Sequence, residues 1–255
     1  MSWESLGSSP FAIAGFLLAL LLACHEVGFR LGCRVKGFDD DYKRRVDMIR
    51  TAILALVTFL VGFSFAAAGS RYIDRQDMIV KETNAIGTSW LRAQLLPEPQ
   101  RSRLQAELRL YALDRLELLK AFDPESARSL LAKAGQSQKR IWKAGVEGVG
   151  TDRVLANFML PPLNDAIDIH SEHLSAARRH IPRAILVVIV IAAAIGMGMI
   201  GYDNGLVRKR YFTLSGAFAV VSAASLWMTI DLDRPRHGFV RASELPYVEL
   251  LDSMK

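Results

Sequence analysis

Four long runs without a charged residue constrain this chain more than any other feature of its sequence. The runs extend over 5–24, 51–70, 184–202 and 212–230, and none contains Asp, Glu, Lys or Arg. At 1.5 Å per residue, runs of this size form helices about 30 Å long, which is the hydrocarbon thickness of a bilayer. One such run would fit a buried helix of a soluble protein. Four of them predict a multi-pass membrane protein, whose first partner is the lipid bilayer.

The basic charge balance of the chain does not indicate nucleic-acid binding. The chain has 32 Lys and Arg against 26 Asp and Glu, a formal charge of +6. These cations crowd the ends of the apolar runs, where they would meet anionic headgroups. The sequence has no glycine-rich phosphate loop after a strand and no zinc-finger spacing. We therefore expect no nucleic acid, metal or cofactor. Because no nucleophile and base can be matched, we also expect that the chain is not an enzyme.

The apolar runs divide the chain into two hairpins around a long polar insert. The predicted domains are a first transmembrane hairpin at 1–70, an extramembrane insert at 71–183, a second hairpin at 184–230 and a tail at 231–255. The first run lacks a basic segment before it, so we interpret it as a retained span rather than a signal peptide. The predicted fold class is an all-α membrane protein with four transmembrane helices and a helical bundle in the insert.

Proline and capping patterns predict where the helices of the insert begin and end. The second span is expected to continue as a helix beyond the membrane until the prolines that begin at Pro97. Asp123 followed by Pro124 has the pattern of an N-cap with proline in the first turn. The pair Pro161-Pro162 is expected to interrupt the last helix of the insert.

The second span carries two phenylalanines among small residues. Phe59 and Phe63 are four residues apart and share a helix face, near Gly62 and Ala66. From the residues alone, we expect the two rings to pack against lipid or a neighbouring helix. Together with the Arg71-Tyr72 pair that follows, this stretch resembles the second membrane helix of bestrophins, which are pentameric anion channels. The resemblance implies an oligomer, a pentamer by analogy, in which Phe59 and Phe63 form a hydrophobic neck.

A second set of motifs is similar to a family of bacterial membrane proteins called bestrophin-like. Its residues in this chain are Asn84, Gly87, Trp90 and Arg92, in the stretch that begins at Glu82, and Asp231, Asp233 and Arg234 after the fourth run. This similarity extends over most of the chain. It implies four spans and the long insert, but no established activity, so the channel function rests on the remoter analogy.

Charged residues just beyond the second span are expected at the mouth of such a pore. Arg71 and Arg75 lie one turn apart, and Glu82 continues the same stripe. In a conducting oligomer these charges would act on small ions, which are anions by analogy. The alternative is a solvated or headgroup-facing stripe in which Arg75 pairs with Glu82.

Two groups that contain histidine have both a functional and a structural interpretation. His25 and Glu26 lie where the first span meets the interface, and they form either an ion or proton site or a snorkelling pair next to Arg30. His170 and His173 have a spacing that places two metal ligands on one helix face. No further ligand motif accompanies them. We therefore expect no metal there.

The leading hypothesis is an oligomeric ion channel in the inner membrane of a bacterium. The alternative is a non-conducting sensor or interaction module that acts through the insert. The positive-inside rule places the short connections 25–50 and 203–211 in the cytoplasm. The bestrophin resemblance implies the reverse, with the insert in the cytoplasm. The orientation therefore stays open, and of the two we favour the positive-inside rule.

Overall fold

Helices form every regular element in the part of the chain that the structure describes. This computed structural model describes residues 10–121, 123–177, 181–233 and 239–255. The helices are α1 (Pro10–Arg34), α2 (Asp40–Arg92), α3 (Gln100–Lys120), α4 (Pro124–Val149), α5 (Arg153–Ala177), α6 (Arg183–Leu206), α7 (Phe212–Leu232) and α8 (Leu245–Ser253). The predicted all-α fold is confirmed.

Four of these helices are long and apolar enough to cross a membrane. They are α1, α2, α6 and α7. Each overlaps one of the uncharged runs. Helix α2 has 53 residues and continues far beyond its apolar run to Arg92, a few residues before Pro97. The four predicted spans and the long extension of the second one are therefore confirmed.

The chain folds into two compact units. Unit 1 comprises Met1–Arg71 and His180–Val240, and unit 2 comprises Tyr72–Arg179 and Arg241–Lys255. Helix α2 therefore contributes to both units, and α8 belongs to the same unit as the long insert.

In unit 1, α1 and α6 approach so closely that their backbones touch. A Cβ atom on Gly28 would lie 2.0 Å from the carbonyl oxygen of Gly198, and one on Gly32 would lie 3.0 Å from the Cα atom of Gly205. Only residues without a side chain allow two membrane helices to come this close. Because the contacting positions increase together along both helices, α1 and α6 run parallel.

Aliphatic side chains from four helices form the core of unit 1. Its buried members are Leu17 and Leu21 on α1, Val57 on α2, Ile189, Ala193 and Met197 on α6, and Ala219, Ala223 and Leu226 on α7. Lipid tails are as apolar as this core, so van der Waals packing rather than transfer from water holds the helices together.

The core of unit 2 joins the second half of α2 to α3, α4, α5 and α8. Its fully buried members include Ile79, Ile86, Leu104, Leu108, Tyr111, Ile141, Met159, Leu163 and Tyr247. Gly145 on α4 belongs to this close packing, because a Cβ atom there would lie 2.4 Å from a methyl group of Leu163 on α5.

The two prolines of α5 do not interrupt it, contrary to the expectation from the sequence. The helix runs from Arg153 to Ala177 through Pro161 and Pro162. Pro162 has no N–H to donate to the carbonyl oxygen of Phe158, one turn earlier. Nη1 of Arg92 donates to that oxygen instead, at 2.5 Å. Arg92 thus satisfies the acceptor that Pro162 leaves without its helical partner.

Candidate functional site

Phe59 and Phe63 lie on an exposed face of α2 in unit 1. Phe59 exposes 67% of its surface and Phe63 exposes 69%. Their rings stack, with centroids 6.4 Å apart and planes inclined by 19°. Gly62 and Ala66 are exposed as well. The structure thus brings the four residues expected in the neck together on one face, which we call the aromatic face of α2.

The other side of α2 is fixed by packing against α6. Val57 is buried in the unit 1 core, and Ile53 and Leu60 pack against that core. A Cβ atom on Gly196 of α6 would lie 3.2 Å from the Cδ2 atom of Leu54. This packing leaves the aromatic face exposed.

The exposed face of α6 has a different chemistry from the aromatic face of α2. Ile185, Val188, Ile191 and Ile195 each expose about half of their surface, and such branched aliphatic side chains suit contact with lipid tails. Between Thr58 and Ser70, the exposed residues of α2 are Thr58, Phe59, Gly62, Phe63, Phe65, Ala66 and Ser70. Small and hydroxyl-bearing residues are the ones at which membrane helices contact each other.

The charges expected at the pore mouth do not share one exposed face. Nη1 of Arg71 lies 3.5 Å from Oδ1 of Asp233. Arg75 exposes 4% of its surface and Glu82 exposes 0%. Because water in a pore cannot reach a buried side chain, Arg75 and Glu82 do not occupy the solvent-facing positions that their spacing indicated.

A different set of polar residues is exposed on the second half of α2. The set consists of Asp74, Asp77, Lys81 and Asn84. Their spacing of three or four residues places them on one helix face. The buried stripe of Arg75 and Glu82 has helical spacing too, so spacing alone does not separate the two stripes. The charge pattern of a lone helix therefore could not have identified the exposed set.

Glu82 is the centre of a buried polar cluster in unit 2. Arg115 donates from Nε to Oε1 and from Nη2 to Oε2 of Glu82, both at 2.7 Å, which is a bidentate ion pair. The hydroxyl of Tyr111 donates to Oε1, also at 2.7 Å. Burial alone would lower the pKa of Arg115, but the facing carboxylate outweighs it and raises that pKa above its ordinary value. The pair is therefore ionised.

His170 and His173, considered above as metal ligands, belong to this cluster. Nη2 of Arg115 lies 3.2 Å from Nδ1 of His173, and Nδ1 of His170 lies 3.9 Å from Oε1 of Glu82. Burial, followed by the positive charge of Arg115, lowers the pKa of His170 to about 4, so its ring is neutral at pH 7. The described residues hold no group of three or more metal-ligating side chains.

The C-terminal helix α8 packs next to the same cluster. Tyr247 on α8 is fully buried, and burial together with the Glu82 carboxylate raises its pKa well above the ordinary value. A Cβ atom on Gly87 would lie 3.3 Å from the Cδ1 atom of Leu250 on α8. The family-motif residue Gly87 thus provides the room in which α8 lies against α2.

The remaining motif residues of α2 have different surroundings. Trp90 is half-buried and packs against the unit 2 core. Arg92 satisfies the Phe158 carbonyl oxygen, as described above. Asn84 is exposed. Of these three motif residues, Trp90 packs in the core, Arg92 binds a backbone carbonyl group, and Asn84 faces solvent.

Two motif carboxylates hold backbone N–H groups at the end of α7. Asp231 accepts from the N–H groups of Phe239 and Val240 at 2.7 and 2.9 Å. Asp233 accepts from the N–H group of Ile181 at 3.0 Å. Both side chains are buried, so they fix the chain on either side of the second hairpin. Arg234 lies outside the described residues.

Hydrogen bonds and ion pairs engage the ionisable residues at the end of α1. Nε2 of His25 lies 3.2 Å from Nδ2 of Asn204 on α6. Glu26 accepts from Arg30 at 2.8 Å and from Arg210 at 2.6 Å. These contacts favour the structural interpretation of His25 and Glu26 over an ion site.

Known proteins share this architecture. A family model described as the Bestrophin-like domain matches residues 15–247. A crystal structure of a Klebsiella pneumoniae bestrophin homologue with a Trp→Ala substitution is similar at 15% identity and a TM-score of 0.63, covering 96% of this chain and 95% of that one. Another structure of a Klebsiella pneumoniae homologue, phased on zinc, is 14% identical, with a TM-score of 0.61 and 94% of each chain covered.

A crystal structure reported as a membrane protein with a Leu→Ala substitution is similar at 14% identity and a TM-score of 0.66, with 94% of each chain covered. No curated protein sequence matches the chain. At such identities the solved structures show the fold alone, whereas the family match covers most of the sequence. The chain therefore belongs to the bestrophin-like family of membrane proteins.

Proposed function

We propose that the chain is one subunit of a homo-oligomeric ion channel whose pore is lined by the aromatic face of α2. The observation that carries this proposal is the exposure of the stacked Phe59 and Phe63 among small residues. The resemblance to bestrophins supports it, because there the matching rings form the narrowest part of a pentameric pore. A symmetry axis next to α2 would bring one such pair from each subunit together.

The proposed neck acts by excluding water. A narrow ring of phenylalanine side chains offers an ion no hydrogen bonds to replace its hydration shell, so the constriction blocks conduction while it is dry. A small widening lets water enter, and hydrated ions then pass. Gly62 and Ala66 would allow the neighbouring α2 helices to approach closely enough for the ring to be narrow.

The permeant species are small ions, with anions favoured by the resemblance. The exposed part of α2 in unit 2 carries Asp74, Asp77 and Lys81, so both signs of charge are available to act on an ion there. The reversal potential of the reconstituted protein under a salt gradient measures whether anions or cations permeate more readily.

Shortening the neck side chains is expected to increase ion flux. Phe59→Ala and Phe63→Ala each widen the proposed ring, and the double variant widens it most, so flux from loaded liposomes should rise severalfold above that of the wild type. Phe16→Ala on α1 is the matched control, because Phe16 exposes a similar 57% of its surface on another helix. The control should conduct like the wild type.

Two results would count against the channel. No flux in the wild type or either neck variant, over a wide range of salts, would favour a non-conducting protein. An equal rise in flux with Phe16→Ala would indicate leakage caused by the loss of any exposed ring.

A sensor or interaction module without a pore is the second candidate. One observation favours it: unit 2 has an open groove of about 400 Å³ between α4 and α5. Its lining combines Trp142, Leu160 and Pro161 with the polar groups of Asn157, Asn164 and Asp165. Such a mixture of aromatic, aliphatic and amide groups could contact a ligand that has both apolar and polar parts. The liposome experiment separates this candidate from the channel.

We also propose that the protein lies in the bacterial inner membrane with its short connections in the cytoplasm. The excess of Lys and Arg in these connections supports this orientation. In a background with Cys24 and Cys33 replaced by serine, Arg44→Cys should resist a membrane-impermeant thiol reagent in intact cells, while Arg128→Cys in unit 2 should react. The opposite pattern would place the insert in the cytoplasm.

A further inference from the structure

The two short connections of unit 1 lie side by side. The first joins α1 to α2 and the second joins α6 to α7. Gly32 and Gly205, which are in contact, lie just before the first and the second connection, respectively. From the second connection, the guanidinium of Arg210 pairs with Glu26 of α1 at 2.6 Å. The same guanidinium lies 4.1 Å above the ring of Phe29. The cations of both connections therefore share one end of unit 1.

This end of unit 1 carries more positive charge than its own carboxylates neutralise. Residues 26–50 and 203–212 contain ten Lys and Arg against six Asp and Glu. Several of these cations are paired: Arg30 and Arg210 with Glu26, and Arg44 and Arg45 with Asp41.

Four exposed cations have no ion pair within the described residues: Arg34, Lys36, Arg208 and Lys209. We call these four side chains the connection cations. Arg34 and Lys36 follow the Gly32 contact on α1, and Arg208 and Lys209 follow the Gly205 contact on α6. Both pairs thus lie at or just beyond the ends of two helices that are in backbone contact.

The backbone at Arg208 supports a role for its charge. Its φ angle is +52°, a left-handed conformation that is strained for a residue with a side chain and that glycine usually adopts at helix ends. The turn is closed by bonds from the N–H groups of Arg208 and Lys209 to the carbonyl oxygens of Gly205 and Asn204, at 3.0 and 3.1 Å. The chain thus places a cation where glycine would be less strained.

We propose that the connection cations form a binding surface for the phosphate headgroups of anionic phospholipids. A cation close to an anionic lipid surface strengthens binding about fivefold. The side chains around the surface favour a lipid over a soluble phosphate. Tyr211 exposes 44% of its surface, Phe212 68% and Leu214 71%. Aromatic rings of this kind lie at the headgroup level, and the aliphatic side chains reach the acyl chains.

Lipid titration followed by native mass spectrometry of the full-length protein tests this proposal. Phosphatidylglycerol and phosphatidylcholine with the same acyl chains are compared on the delipidated wild type and on a connection variant, Arg34→Gln/Lys36→Gln/Arg208→Gln/Lys209→Gln. The matched control is Arg109→Gln/Arg128→Gln/Lys139→Gln/Arg153→Gln, which removes the same charge from exposed positions of unit 2. Arg34→Lys/Arg208→Lys keeps the charge and checks that the connections tolerate substitution.

The wild type should bind phosphatidylglycerol at least about tenfold more tightly than phosphatidylcholine. The connection variant should lose this preference, whereas the unit 2 control and the lysine variant should keep it. Equal binding of the two lipids by the wild type, or an equal loss in the connection variant and the control, would overturn the proposal. Competition by glycerol 3-phosphate at the concentration of the lipid would also overturn it, because a soluble phosphate would then suffice.

Discussion

Gly28→Ala should destabilise the folded protein by about 3 kcal/mol, although it adds a single methyl group. That methyl carbon would lie 2.0 Å from the carbonyl oxygen of Gly198. Backbone cannot move aside as the end of a flexible side chain does, so α1 and α6 must separate along the whole contact. Gly201→Ala should act in the same way, because its Cβ atom would meet the carbonyl oxygen of His25 at 2.0 Å.

Gly15→Ala is the matched control for this prediction. Gly15 lies on α1 as well, but a Cβ atom there has no neighbour within 4 Å. Alanine is the better helix former, so this variant should be neutral or more stable by about 0.5–1 kcal/mol. Thermal unfolding of the three purified variants in one detergent measures the difference. Equal stability of Gly15→Ala and Gly28→Ala would refute the close backbone contact.

Arg115→Met should cost unit 2 about 3–5 kcal/mol, because it leaves the Glu82 carboxylate buried without its ion-pair partner. Both residues expose at most 2% of their side chains, and water cannot take over the role of the guanidinium. Adding Glu82→Gln to Arg115→Met removes the buried charge, so the double variant should regain part of the lost stability. Chemical unfolding, followed by the fluorescence of Trp90 and Trp142, provides the measurement.

An exposed ion pair of the same unit offers the control for Arg115→Met. Arg103 pairs with Glu147 at 2.5 Å, but their side chains are 59% and 41% exposed. Arg103→Met should therefore change the free energy of unfolding by less than about 1 kcal/mol. If Arg103→Met and Arg115→Met lowered the free energy of unfolding by similar amounts, the buried ion pair would contribute no more to stability than a surface pair.

Local patterns in the sequence predict a large part of this fold. The uncharged runs identify the four spans because membrane thickness sets helix length. The N-cap at Asp123 is confirmed, since its carboxylate accepts the N–H group of Ser126 at 2.8 Å. That cap depends only on residues three apart in the chain, which is the range at which a sequence pattern is informative.

Distant partners account for what the sequence does not predict. Arg115 lies 33 residues from Glu82, on a helix whose charges suit a solvated face. Arg92 lies 66 residues from the carbonyl oxygen that it satisfies, so the continuous α5 could not be anticipated from its two prolines. Burial also decides which charged stripe of α2 is exposed, and burial depends on helices that come from elsewhere in the chain.

The parallel contact between α1 and α6 has a consequence for the order in which the protein is made. Gly28 and Gly198 are 170 residues apart in the chain. At about 5–20 residues per second, the ribosome needs roughly 10–30 s to synthesise the intervening segment. During that interval the glycine face of α1 lacks its partner helix, while residues 72–179 of unit 2 are synthesised. The membrane unit can therefore close only after the long insert has been made.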